Sequence, residues 1–269
     1  MTKNESSNSA TRRTFLKAAS TTAAIAGTMT IPRNAHAAGT NDRLKVGLVG
    51  CGGRGSGAAQ NAVNGDKNCE IWAMGDAFED RLNLSKPVIK AHCGDQFNVS
   101  DERCFTGFDA YQKVIDSGVD VVILTTPPHF RPEQFEAVVA AGKHCFIEKP
   151  IAVDVPGVKR VQAACELAQQ KGLAVVSGLC WRYDLGVRET MARVLDGAIG
   201  DIVAVQSTYN AGTLWHRGDK PEWSRMEYQM RNWLYYTWLS GDHICEQAVH
   251  SLDKTAWLNN DASPVSAYG

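Results

Sequence analysis

The stretch from Leu44 to Ala62 constrains the fold more than any other part of the chain. It begins with an apolar run that is typical of a buried strand, and it continues through Gly50-x-Gly52-x-x-Gly55 into small residues with helical character. Strand, glycine turn and helix in this order are what a dinucleotide-binding loop requires. The first glycine permits the tight turn, the second leaves room for a pyrophosphate, and the third lets the helix pack against the strand.

Beyond this loop the chain alternates apolar strand segments with helical segments. Such alternation predicts an α/β fold, a doubly wound parallel sheet of the Rossmann type. Further strands are predicted at residues 70–76, 119–125, 144–148 and 173–177. Helices are predicted at residues 77–93, 108–117 and 155–171, with another that ends at Ala141.

The pattern changes after Gly178. A helix at 185–195, one alternating strand at 202–209 and a helix at 241–258 predict the beginning of an α+β domain. That domain is incomplete, because a single strand cannot form a sheet with a buried face. We therefore predict three parts, which are a leader (1–37), a dinucleotide-binding Rossmann domain (43–180) and a partial α+β substrate domain (181–269).

The leader has the three parts of an export signal in the right order. The twin arginine Arg12-Arg13 is followed by a mildly apolar core at 18–31 and by the small-x-small site Ala35-His36-Ala37. The core of 14 residues is shorter than the ~20 residues that span a bilayer. This resembles a bacterial twin-arginine signal, which exports folded proteins, and it predicts a periplasmic location. An amphipathic or disordered N-terminal arm is the structural alternative.

Charge and cysteine usage argue against several classes of protein. The 28 Lys and Arg residues nearly balance the 29 Asp and Glu residues, and the leader holds five of the basic residues but only one acidic residue. The rest of the chain is mildly acidic, so we expect no nucleic-acid partner and no membrane partner. The eight cysteines are scattered without a Cys-x-x-Cys pair, and we expect free thiols and no zinc ribbon.

The strand at 70–76 ends in Asp76, 26 residues beyond Gly50. A carboxylate near this position accepts hydrogen bonds from the adenosine ribose and repels a 2′-phosphate. NAD is therefore the predicted cofactor. NADP is the alternative, because Arg54 in the glycine loop, itself a candidate cofactor contact, and Arg81 lie close in sequence. A helix N-cap is the structural alternative for Asp76.

Two further strand ends carry candidate residues, since open α/β sheets bind ligands at the carboxyl ends of their strands. Thr125 and Pro127 lie at the end of one strand and are predicted to contact the cofactor. Glu148 and Lys149 lie at the end of the next strand, where we expect contacts to the nicotinamide end. A lysine there can hydrogen-bond a substrate hydroxyl and favour its alkoxide. A surface lysine that begins a loop is an equal alternative on spacing alone.

His243, Glu246 and His250 are spaced to lie on one face of the predicted helix at 241–258, and Asp253 continues that face. This spacing predicts His250 as a general base that Glu246 orients. Metal ligands and a solvated polar face are the alternatives. We predict no metal, because a nucleotide fold does not need one.

Together these motifs resemble the Gfo/Idh/MocA oxidoreductases, which include glucose-fructose oxidoreductase and inositol dehydrogenase. Over residues 43–269 the matching segments are Gly50-x-Gly52-x-x-Gly55, Ala141-Gly142-Lys143-His144, Glu148-Lys149-Pro150, Gly197 to Gly200, and Glu246-x-x-x-His250-x-x-Asp253. The segment 233–244 is similar to the exported branch of the family. The resemblance implies that Lys149 and His250 are catalytic.

Two features depart from the family pattern. Glu246 stands where family members usually have the shorter Asp, so its contact to substrate or to His250 is expected to differ. Family members also continue well beyond the length of this chain, through a sheet by which they commonly pair. We therefore expect a truncated product that binds nucleotide but turns over slowly, and a homo-oligomer only in the full-length form.

The leading functional hypothesis is an NAD(P)-dependent oxidoreductase that transfers hydride between a sugar or polyol and the nicotinamide. Four of the seven tryptophans fall within 211–240, where aromatic rings can stack on a carbohydrate or fill a core. An NAD-dependent glycosidase of the same fold is the second hypothesis, although such enzymes depart from the Glu-Lys-Pro lysine. A nucleotide-binding remnant without catalysis is the third, and a metal hydrolase built on His243 and His250 is the last.

The twin-arginine segment generates a first testable prediction. Changing Arg12 and Arg13 together to Lys is expected to stop export, because the route depends on that pair, so the chain should accumulate in the cytoplasm. Fractionation and immunoblotting measure the distribution, with a Lys3→Arg variant as the charge-conserving control. Finding the processed chain of the double variant in the periplasm would rule out this route.

Overall fold

The computed structural model describes residues 43–268, so the predicted leader lies outside the described residues. Six parallel strands form one sheet with the order β3-β2-β1-β4-β5-β6. The strands are β1 (Leu44–Val49), β2 (Cys69–Asp76), β3 (Cys104–Thr106), β4 (Val121–Leu124), β5 (His144–Ile147) and β6 (Val175–Ser177). The sheet order reverses between β1 and β4, which is the topological switch point of a doubly wound fold. This confirms the predicted α/β Rossmann class.

Five helices connect these strands and cover both faces of the sheet. They are α1 (Gly53–Gly65), α2 (Glu79–Cys93), α3 (Ala110–Asp116), α4 (Arg131–Ala140) and α5 (Val155–Gln170). Two separate cores result. Ala59 and Ile89 pack α1 and α2 against one face, and Val114, Phe135 and Val161 pack α3, α4 and α5 against the other.

The strands follow the expectation for a parallel sheet that is buried on both faces. Leu48, Ile71 and Val122 at its centre are fully buried, which explains why apolar runs located them from sequence. Only β3 escaped prediction. It has three residues at the sheet edge, too few to show a period.

The part of the chain after Gly178 is helical, with α6 (Leu185–Leu195), α7 (Arg225–Arg231), α8 (Thr237–Ser240), α9 (Asp242–Glu246) and α10 (Val249–Leu258). The predicted strand at 202–209 is wrong, and residues 179–268 contain no strand. Extended backbone becomes a strand only when a neighbour accepts its hydrogen bonds, and none lies beside this segment. The predicted partial α+β domain at 181–269 is therefore built of helices and loops as far as the structure describes it.

Ion pairs join these later helices to the chain before them, and two of the pairs involve arginines. Arg231 on α7 binds the carboxylate of Asp80 on α2 through both terminal nitrogens, at 2.9 Å each. Arg182, in a 3₁₀ turn after β6, donates from Nε to Asp253 on α10 at 3.0 and 3.1 Å. Within residues 43–268, no helix is long and apolar enough to cross a membrane.

Helix α2 offers a matched test of the core. Leu82 is 2% exposed and Leu84, two positions later, is 66% exposed. We expect Leu82→Ala to lower the free energy of unfolding by about 2–5 kcal/mol, because it leaves a cavity, and Leu84→Ala to change it by less than about 0.5 kcal/mol. Urea denaturation followed by circular dichroism measures both. Equal effects would show that α2 does not pack as described.

Candidate functional site

The glycine loop between β1 and α1 requires glycine at two positions for steric reasons. Gly50 has a φ of +96°, and a Cβ there would lie 2.8 Å from the Thr125 backbone. A Cβ on Gly55 would lie 1.9 Å from the carbonyl oxygen of Gly50. At Gly52, by contrast, a Cβ would meet no atom within 4 Å. The space beside Gly52 is therefore empty, as it must be if a pyrophosphate is to approach the backbone of the loop.

A cleft opens beside this loop at the carboxyl ends of β1, β2 and β4. Its empty volume is about 830 Å³, part of it open to solvent, and the predicted cofactor residues that line it are Gly50, Gly52, Asp76, Thr125 and Pro127. No side chain caps the first turn of α1, so its N–H groups and positive dipole end are left for a ligand. A helix N-terminus of this kind favours phosphate.

Asp76 is fixed at the cleft by the loop itself. One carboxylate oxygen accepts from the N–H of Cys51 at 2.6 Å and the other from the N–H of Phe78 at 2.9 Å. Burial raises the pKa of Asp76, and these two N–H groups oppose that shift. The side chain thus ties β2 to the glycine loop while it lines the cleft. It is not the N-cap of α2, which is Phe78, and its role as a ribose ligand stays a prediction.

Arg54 and Glu148 do not line the cleft but contact each other. Arg54 Nε donates to Glu148 Oε1 at 2.6 Å, and Glu148 is 5% exposed. The other oxygen of Glu148 accepts from the backbone N–H of Lys149 at 3.0 Å. This ion pair joins the glycine-loop helix to the end of β5, so the cleft and Lys149 belong to one connected arrangement.

Lys149, Glu246 and His250 converge at the end of β5, next to that ion pair. Lys149 Nζ donates to Glu246 Oε1 at 2.8 Å and to the Glu246 carbonyl oxygen at 2.5 Å. The side chains of Lys149 and Glu246 are 16% and 10% exposed, and His250 is buried. Lys149 is thus a largely buried, paired cation, which excludes the surface-lysine alternative.

Two polar atoms of this group have no partner within the described part of the chain, Glu246 Oε2 and His250 Nδ1. Burial and the charge of Lys149 lower the pKa of His250. Its ring stacks on Tyr209, with centroids 6.2 Å apart. Unpaired buried polar atoms are rare and point to a missing partner or a catalytic role, and a neutral imidazole can accept a proton.

The single helical face predicted for 241–258 is wrong. The helix breaks between α9 and α10 at Gln247 and Ala248. The His243 side chain is exposed and contacts Asp242, so it does not converge with His250. The prediction that Glu246 orients His250 is also wrong, because the Glu246 carboxylate accepts a hydrogen bond from Lys149 instead. Among residues 43–268, no group of three potential ligands could hold a metal ion.

Sequence reasoning missed Arg131, which lies buried beneath the site. It donates to the carbonyl oxygens of Pro150 and Thr126, and thereby holds together the chain after β4 and the chain after β5. Burial lowers its pKa to about 10, opposed by the charges of Glu148 and Glu246. An arginine that begins a helix gives no sign in sequence that it is buried.

Sequence reasoning also missed one wall of the cleft. Four residues from the segment after the sheet also line it, which are Arg217, Met230, Arg231 and Trp233. No local sequence pattern predicts this wall, because its position depends on the docking of α7 at Asp80.

All eight cysteines lie within residues 43–268 and are free thiols.

The sheet order, the glycine loop and the cleft at its switch point define a Rossmann-type nucleotide-binding protein. A family model described as an oxidoreductase family with an NAD-binding Rossmann fold (GFO_IDH_MocA) matches residues 44–178. The chain belongs to this family, the Gfo/Idh/MocA oxidoreductases.

Individual relatives are more distant. Inositol 2-dehydrogenase from Salmonella typhimurium is 28% identical over 230 residues, which are 84% of this chain and 57% of that protein. A glycosyl hydrolase family 109 protein from Solibacter usitatus is 26% identical over 211 residues, 73% of this chain and 44% of that protein. Scyllo-inositol dehydrogenase from Lactobacillus casei, solved with NAD(H) and scyllo-inositol, shares the fold at a TM-score of 0.61 and 21% identity. The match covers 81% of this chain and 56% of that one. The chain thus spans about half the length of these relatives.

The residues at the cleft fit the dinucleotide that the family name implies. Gly52 leaves the space that a pyrophosphate needs, the first turn of α1 offers N–H groups, and Asp76 faces the position where a ribose would lie. We expect Gly52→Val to lower NADH affinity at least ~100-fold with an unchanged fold. Its φ of −78° suits valine, so the new side chain fills only the ligand space.

Gly65→Val is the matched control, because a Cβ at Gly65, at the far end of α1, also meets nothing within 4 Å. It should bind NADH normally. Titration calorimetry measures affinity, and thermal denaturation checks the fold. Normal NADH affinity in the Gly52→Val protein would show that the loop is not the pyrophosphate site.

Proposed function

We propose that this chain carries the cofactor site and catalytic group of an NAD(P)-dependent oxidoreductase that acts on a sugar or polyol. One observation carries the proposal. Lys149, Glu246 and His250 form a buried group with two unpaired polar atoms, Glu246 Oε2 and His250 Nδ1. The group lies at the strand edge that also holds the glycine loop, and the two are joined through Arg54 and Glu148.

Each residue of the group has a defined task in dehydrogenation of an alcohol. A nicotinamide bound in the cleft would supply the acceptor for the hydride of the carbinol carbon. His250 takes the hydroxyl proton as general base, which its lowered pKa permits because the imidazole is neutral at pH 7. Lys149 donates a hydrogen bond to the same oxygen and stabilises the developing alkoxide. Glu246 holds the ammonium of Lys149 in place.

NAD(H) is the cofactor that we infer from Asp76. Its carboxylate is fixed at the cleft by the N–H groups of Cys51 and Phe78, and a fixed carboxylate accepts ribose hydroxyls and repels a 2′-phosphate. The family description names NAD, and the Lactobacillus relative was solved with NAD(H).

A sugar or polyol substrate is supported by the names of relatives and by exposed aromatic rings. The relatives include inositol dehydrogenases and an aldose-aldose oxidoreductase from Caulobacter crescentus. Trp215, Tyr235 and Trp238 are each more than a third exposed, as rings that stack on sugar faces must be. A homo-oligomer remains our expectation for a longer form of the chain.

An NAD-dependent glycosidase is the second candidate, supported by the similarity to glycosyl hydrolase family 109 proteins. Both candidates oxidise a sugar hydroxyl, but only the glycosidase releases an alcohol from a glycoside without net NADH formation. Absorbance of NADH against release of a chromogenic aglycone therefore distinguishes them. For location, we propose export to the periplasm by the twin-arginine route, on the sequence of residues 11–37 alone.

The proposed base is tested by His250→Ala with His243→Ala as the matched control. His250→Ala should lower NAD⁺ reduction with a panel of inositols and aldoses by about 10²–10⁴-fold and leave NADH affinity intact. His243 is exposed and outside the group, so its variant should keep activity. Lys149→Gln should also lose activity.

The pH profile provides a second measurement. Burial lowers the pKa of His250 below its ordinary value of 6.5. The imidazole therefore gains its proton only at a pH lower than 6.5. The decrease of kcat/KM on the acid side of the pH profile should therefore have its midpoint below pH 6.5, and this decrease should be absent in His250→Ala. Unchanged turnover in His250→Ala would contradict the assignment, as would an acid limb above pH 7.

A further inference from the structure

Glu148, at the end of β5, is a buried carboxylate, and the chain after β6 is shaped to admit it. The residue is 5% exposed. A Cβ on Gly178 would lie 2.5 Å from Glu148 Oε2 and 2.7 Å from its Cδ. Glycine at position 178 therefore leaves the space that this carboxylate occupies, and a larger residue there would displace it.

Both oxygens of this carboxylate have a partner. Oε1 accepts from Arg54 Nε at 2.6 Å, and Oε2 accepts from the backbone N–H of Lys149 at 3.0 Å. Among the described residues, Arg54 is the only cation that forms an ion pair with Glu148. The Arg131 guanidinium also lies nearby, but it donates to backbone carbonyl oxygens instead. The position of this buried charge therefore depends on Arg54.

Lys149 is held at both ends as a result. Its backbone N–H donates to Glu148, and its ammonium donates to the Glu246 carboxylate at 2.8 Å. The backbone contact fixes the direction in which the side chain leaves the end of β5, and the other contact fixes the ammonium. Both are needed, because the stem of a lysine is flexible.

We propose that Arg54 is a positioning residue for Lys149, which acts through Glu148 and touches neither substrate nor cofactor. The inference rests on the proposed function, in which Lys149 donates to the substrate oxygen. Arg54 lies in the first turn of α1 but does not line the cleft, and its side chain contacts Glu148.

The physical reason is the cost of a buried charge. A buried carboxylate that loses its cation is left uncompensated, and it relaxes toward water or toward another charge. When Glu148 moves in this way, the Lys149 N–H loses its acceptor. The ammonium is then displaced from the oxygen that it would stabilise.

This role differs from the cofactor contact that the sequence predicts for Arg54, and the two roles have different kinetic signatures. A cofactor contact contributes to NADH affinity. A positioning residue contributes to turnover, since a displacement of about 1 Å at a catalytic group can cost about 100-fold in rate. Loss of an interaction that is made only in the transition state lowers kcat and kcat/KM equally.

The experiment measures kcat, KM and the NADH dissociation constant of the whole chain, with the inositol or aldose that wild type oxidises fastest. Arg54→Met should lower kcat about 10–100-fold, with KM and NADH affinity changed less than ~3-fold. Arg54→Lys keeps the cation and should retain kcat within about fivefold of wild type. If Arg54→Met does not fold, Arg54→Gln provides the same comparison, and thermal denaturation checks the fold of each variant.

Arg160→Met is the matched control. The Arg160 side chain is 48% exposed, against 49% for Arg54, and its Nε likewise donates to a glutamate, Glu136, at 2.9 Å. This ion pair joins α5 to α4, and neither residue lines the cleft. The variant should therefore change neither kcat nor NADH affinity.

The double variant Arg54→Met/Glu148→Gln decides whether Arg54 acts through Glu148. If it does, the double variant should lose less than ~3-fold in kcat beyond Glu148→Gln alone, because residues in one chain of contacts are not additive. Losses that multiply would overturn the inference. Normal kcat in Arg54→Met would also overturn it, as would a rise in the NADH dissociation constant as large as the fall in kcat.

The inference and the proposed function fail in different ways. Each of the contrary results in the Arg54 and Glu148 variants leaves the proposed function standing, because wild type still oxidises its substrate. Wild type that binds NADH but oxidises no inositol or aldose of the panel would overturn both.

Discussion

The buried contact between Lys149 and Glu246 is the interaction on which the rest of the site depends. It joins the end of β5 to α9, two segments 97 residues apart in sequence. Removing one partner of a buried ion pair leaves an uncompensated charge and costs about 3–5 kcal/mol. Arg131 stabilises the same region, because it donates hydrogen bonds to the Thr126 carbonyl oxygen after β4 and to the Pro150 carbonyl oxygen after β5. The contact between Lys149 and Glu246 therefore fixes Lys149, the proposed catalytic lysine, and anchors the helices that follow the sheet.

The cleft and the group of Lys149, Glu246 and His250 are two ends of one arrangement rather than separate sites. The glycine loop supplies the start of α1, and Arg54 on that helix bonds Glu148, the neighbour of Lys149. In the proposed arrangement, the phosphates of a dinucleotide would lie at the N-terminus of α1 and its nicotinamide would lie toward Lys149. The Asp80–Arg231 contact closes the opposite wall. The proposals for the general base and for the cofactor thus share one geometric frame.

Sequence located the elements well where hydrophobic period and glycine chemistry decide the structure. The apolar runs of β1, β2, β4 and β5 are buried on both faces, and a glycine at position 55 is required by the 1.9 Å approach to Gly50. It failed at 202–209, because an alternating pattern does not form a strand without a neighbour. It also failed for His243, because nothing local shows that the helix breaks at Gln247 and Ala248.

The sequence by itself determined the Rossmann class and the glycine loop, since these follow from local periodicity and from backbone conformations that only glycine allows. It also placed Lys149 and His250 as candidates. The tertiary structure decided which charges meet. Glu246 pairs with Lys149 and Asp253 with Arg182, and Arg81 and Arg217 line the same cleft. Such pairings depend on how distant segments dock, and electrostatic energy depends on distances and burial that no linear spacing specifies.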